Sequence, residues 1–97
     1  MLSGRIDQIS SYVARILREE RENQALSMTV LAERAGLSRT MIRFVEHEIR
    51  NPSLETLLRI TLALQIDLGT VIQKAIRASK YGGNINKLKG KRQKRER

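Results

Sequence analysis

Apolar residues in this chain recur mainly at intervals of three and four, the spacing of an amphipathic helix rather than of a half-buried strand. Ile6, Ile9, Val13, Ile16 and Leu17 draw one stripe along a segment from Arg5 to about Asn23. Arg15, Arg18, Glu19 and Glu22 take the opposite side. Such a segment is an amphipathic helix that must lay its stripe on something else. β-Branched runs between turn residues are missing, so we expect an all-α fold.

The middle of the chain divides into short helices, each with a start signal. Ser27 is placed to cap a helix from Met28 to Ala35, and Ser38 one running to about His47. Gly36 stops the first of these, because glycine accepts a positive φ. Asn51 precedes Pro52 and is pushed out of the helical region, which makes 49–52 a connection. Ser53 starts a fourth helix with Leu54, Leu57, Leu58, Ile60, Thr61 and Leu64 as its apolar positions. Asp67 starts a fifth with Leu68, Val71, Ile72, Ala75 and Ile76 on one face. Five helices are therefore expected within one domain, residues 1–79.

Several classes drop out at once. A chain of 97 residues is one small domain. The absence of cysteine excludes a disulfide framework and cysteine-based zinc sites. Nothing approaches the roughly 18 apolar residues of a membrane span. MLSGRIDQIS lacks the apolar core of a secretory signal, so a cytoplasmic location is expected. One histidine and no phosphate-cradling glycine loop argue against an enzyme. His47-Glu48 lacks the second histidine of a zincin-like site, so neither metal nor cofactor is expected.

Leu31–Val45, LAERAGLSRTMIRFV, carries the function. Two short helices flank Gly36-Leu37-Ser38. Leu31 and Ala35 face inward on one, Ile42 and Val45 on the other. Ala32 is small where they cross, and Leu37 can plug the gap beneath the turn. These demands describe a helix-turn-helix over residues 28–47. One face of the second helix is consumed by packing, which frees the outer face of Arg39–His47 to enter a groove.

Charge points the same way. The last eighteen residues, 80–97, hold eight basic residues and one acid, a net +7 of the chain's +9. A basic tail on a nearly neutral domain suits a polyanion. Solvation of a terminus is the plainer alternative. Few apolar residues are there to insert into a membrane, and its composition favours disorder.

LAERAGLSRTMIRFVE followed by RNPSLETLLRITLAL resembles the Cro/lambda-repressor-like (XRE) helix-turn-helix regulators over about residues 10–75. The resemblance implies a lambda-repressor-like five-helix fold and sequence-specific binding of double-stranded DNA, usually as a homodimer. It implies a bacterial or phage setting, with the protein on the nucleoid when bound. Carried over residue by residue, the base-facing positions are Arg39, Thr40, Arg43 and Phe44. The arginines can each offer a fork to guanine, against the alternative of ordinary surface arginine. Phe44 either packs on a thymine methyl or folds back onto the domain. Phosphate contacts fall to the amides at Met28 and Thr29, to Ser38, and to His47, Arg50 and Asn51. Arg21 matches the position that pairs in this family with the glutamate here at Glu46. The sequence departs from the family at Met28, where glutamine is frequent, and at Glu48, where glycine is usual. Leu68, Ile72 and Ile76 are the candidate dimer face of the last helix, residues 68–79; the alternative is that this face closes the protomer's own core, and a split between the two roles is expected.

The leading expectation is a dimeric repressor acting on its own operon. The antitoxin of a toxin–antitoxin pair and a restriction–modification controller use the same fold, the former with a toxin as partner. An RNA-binding basic protein is a different class, disfavoured by two tyrosines and one phenylalanine as the only stacking rings. A protein-interaction module is the remaining alternative.

Overall fold

Three serines begin three helices. The Oγ atoms of Ser27, Ser38 and Ser53 accept from the amides of Val30, Met41 and Thr56 at 3.1, 3.0 and 3.1 Å. Each satisfies an amide the helix itself leaves orphaned. Asp67 does the same for Thr70 at 2.8 Å. In the computed structural model, which describes residues 2–80, the elements are α1 (Leu2–Asn23), α2 (Met28–Ala35), α3 (Arg39–Glu46), α4 (Leu54–Leu64) and α5 (Leu68–Lys80). The described residues thus form the expected all-α array of five helices. The basic segment lies, beyond Lys80, outside them.

Four of the helices end alike. Ala25, Gly36, Glu48 and Gln65 take positive φ of 59, 70, 59 and 62°. In each case the next amide reaches back five residues: Leu26 to Arg21, Leu37 to Ala32, Ile49 to Phe44 and Ile66 to Thr61. This closure satisfies a terminal carbonyl and turns the chain sharply. Only one of the four left-handed residues is glycine.

The apolar faces then meet. Leu17, Leu31, Ala32, Ile42, Val45, Ile60, Leu64 and Val71 form one core, with Leu37 and Met41 packed on its edge. Tyr12, Ala75 and Ala78 form a smaller one between α1 and α5, bordered by Ile9, Val13 and Ile16. α1 packs chiefly on α5, while α2 packs on α3 and α4. Buried Thr61 donates its hydroxyl to the carbonyl of Leu57 at 3.0 Å, so it leaves no polar group unpaired.

One expectation needs correction. α1 starts at Leu2, and Ile6 is exposed with every other residue from Leu2 to Gln8, so the stripe is covered only from Ile9 onward. Leu54 and Leu58 face outward, because the apolar positions of α4 cover more arc than one face can bury. The α5 stripe is largely spent inside the protomer: Leu68 is buried, and Ile72 lines a groove with α1 and the 48–52 connection. Along this helix Leu68 is buried, Ile72 half-buried and Ile76 exposed at 37%.

Candidate nucleic-acid interface

α3 divides cleanly. Ile42, Val45 and Glu46 are buried; Arg39, Thr40, Arg43 and the capping His47 are exposed on the opposite arc. The helical repeat places these four on one continuous face. The burial of Ile42 and Val45 fixes the rotation of the helix, so packing dictates which side chains face out.

Arg21 and Glu46 anchor this helix to α1. Arg21 Nε donates to Glu46 Oε2 at 2.7 Å and Nη2 to Oε1 at 3.0 Å, a two-pronged pair. Nη1 donates to the carbonyl of Leu26 at 2.7 Å, which ties in the turn before α2. The side chains are 11% and 2% exposed. The hydrogen bond to Glu46 raises the guanidinium above its ordinary range and outweighs the opposing effect of burial.

Phe44 is half-buried at the edge of the outer face. Arg43 and Arg50 place their guanidinium carbons 5.5 and 5.3 Å from its ring centroid. The ring is thus a platform for two cations, which limits their wandering. Of the two orientations open to it in the sequence, it takes a mixed one. Nothing in the sequence pattern signalled that Arg50, six residues on, shares the ring.

Glu48 resolves differently from a charge facing a groove. Its backbone adopts the left-handed conformation that glycine usually supplies. Its Oε1 accepts from Ser11 Oγ of α1 at 2.6 Å. Ser11 had no signal in the sequence beyond its place on the polar side of α1.

The remaining candidates flank the face. Asn51 and Thr29 are exposed. Met28 packs its side chain against the core, so it offers a phosphate only its backbone amide. The Ser38 side chain is engaged as the α3 cap. Among the described residues, no carboxylate lies within ion-pair distance of Arg39, Arg43 or Arg50. Among the same residues, no group of three acidic, histidine or cysteine side chains gathers to hold a metal ion. No helix among them is long and apolar enough to cross a membrane.

A helix-turn-helix locked to its scaffold, with one basic outer face, is the site of a DNA-binding transcriptional regulator. The helix-turn-helix family pattern matches residues 17–71, more than half of the chain, and the chain belongs to that family in its XRE type. It is 29% identical over 68 residues to the ImmF control region 10 kDa protein of Bacillus phage phi105, spanning 70% of this chain and 76% of the relative.

Proposed function

We propose that the chain is a sequence-specific repressor that binds double-stranded DNA as a homodimer, with α3 in the major groove. The observation that carries this is the exposed arc of Arg39, Thr40, Arg43 and His47 on a helix whose other arc is wholly committed to the core. An α-helix fits the major groove, and a guanidinium there forms paired bonds to guanine O6 and N7. In this reading the amides at the start of α2, and His47, Arg50 and Asn51, take the phosphates flanking the groove. Two copies read two half-sites about one helical turn, roughly 34 Å, apart. Occupation of such a site beside a promoter excludes polymerase. The phage relative, named for a control region, supports a regulatory role.

Selection of bound sequences from a random duplex pool at near-physiological salt tests this reading. Enrichment of a near-palindrome is the expected outcome. Replacement of Arg39 or Arg43 by alanine then relaxes the preference at particular base pairs. A pool that stays random, with all duplexes bound alike, sinks it.

A further inference from the structure

Leu54, Leu58 and Leu62 of α4 are 65%, 41% and 72% exposed. They stand four residues apart and so form one ridge along the helix. Single surface leucines are ordinary, but three in line make a contiguous apolar strip. Ile60, Thr61 and Leu64 of the same helix are buried in the protomer's core, so the ridge is surplus to the fold. Glu55, largely exposed, and Arg59, about half exposed, border it, paired at 3.0 Å, and exposed Gln65 follows its end. An apolar strip with a polar rim is how protein interfaces are built.

We propose that this ridge is the seam on which a second copy of the chain docks, antiparallel, about a two-fold axis at Leu58. The inference rests on the dimeric reading above and gives it a surface. The spacing is self-complementary. About that axis Leu58 meets its own counterpart, and Leu54 of each copy meets Leu62 of the other, as a symmetric contact demands. Two ridges of this four-residue spacing interdigitate in the commonest class of helix packing. The rotation also sets the bordering flank of one copy against the same flank of the other. Glu55 of one copy then lies within about one turn of Arg59 of the other, and the reverse. A border of a single sign would repel its own copy; an acid and a base four residues apart attract it. α4 follows α3 through the short connection 47–53, so a copy seated on α4 fixes the second recognition helix relative to the first. Three part-exposed leucines cover far less than the roughly 1,200 Å² of a stable interface. Pairing is therefore weak in solution and completed on a duplex that holds two copies side by side.

The test uses the full chain and Leu58→Glu, whose fold is checked first by circular dichroism. Both are sedimented up to high concentration and titrated onto selected duplexes carrying one or two half-sites. The wild type associates reversibly and fills two half-sites cooperatively. Leu58→Glu stays monomeric, binds one half-site as before, and loses on the order of tenfold in affinity for the pair. Glu55→Arg also weakens pairing, and adding Arg59→Glu restores it. Equal sedimentation and equal cooperativity of wild type and Leu58→Glu overturn the seam and leave the ridge to a different protein. If the pool yields no preferred duplex, the regulator reading falls, and sedimentation alone decides the seam. Loss of association in Leu58→Glu then supports it, and identical monomers overturn it.

Discussion

Ser11 Oγ donates to Glu48 Oε1 at 2.6 Å, across 37 residues of sequence, and thereby holds the carboxylate that follows the recognition helix against α1. A negative charge beside the proposed phosphate-binding surface is thus given a partner on the protein. Ser11→Ala frees it, and we expect weaker duplex binding, by up to about tenfold from like-charge repulsion. Glu48→Gly removes both the charge and the strained φ of 59°. It should bind at least as tightly as wild type, and adding Ser11→Ala to it should change nothing further. Equal duplex affinities for wild type and Ser11→Ala would remove this role.

The Arg21–Glu46 pair is buried, so breaking it by halves is expensive. Arg21→Met or Glu46→Met leaves a buried partner without its bonds, a loss of about 3–5 kcal/mol. That is a large share of the stability of a domain this size. Removing both charges with Arg21→Met and Glu46→Met should cost less than the two single losses together. Urea unfolding of the four proteins measures the coupling. Full additivity would mean that the two side chains act separately.

Gly36 carries a φ of 70°, and a Cβ built there comes 2.9 Å from Arg59 Nη1. That same nitrogen donates to the carbonyl of Ala35 at 3.3 Å. Gly36→Ala should therefore destabilise the protein by about 1–2 kcal/mol from backbone strain. Arg59 can move aside, so the fold survives. Thermal denaturation checks the size of the effect, and an unchanged midpoint would contradict it.

Phe44→Leu keeps the half-buried packing and removes the ring shared by Arg43 and Arg50. Each exposed cation–ring interaction is worth about 0.5–1 kcal/mol. Duplex affinity should fall severalfold while the melting temperature stays close to wild type. A large fall in melting temperature at unchanged affinity would assign the ring to packing alone.

Deletion of residues 80–97 should weaken binding to all duplexes alike. The salt slope of log K should flatten by about 0.9 for each phosphate that the basic segment no longer neutralises. The preferred sequence should stay the same, because phosphate contacts position the protein without reading bases. An unchanged slope would confine DNA binding to the domain.

The amino-acid sequence by itself determined the helices and most of the exposed face of α3. Spacings of three and four, the serine caps and Gly36 are local signals, set by side chains within a turn or two of the backbone they control. Arg39, Thr40 and Arg43 follow from them, because Ile42 and Val45 fix which arc must be buried. Only the tertiary structure decided the rest. Ala25, Glu48 and Gln65 take a backbone form that their identities do not announce, because the packing of neighbouring helices forces the turn. Ser11 reaches Glu48, and Arg50 shares Phe44 with Arg43, across separations that no periodicity encodes. The apolar positions of α4 and α5 outnumber what one face can hold, and which of them stay outside is settled by where α2 comes to rest on α4 and α1 on α5.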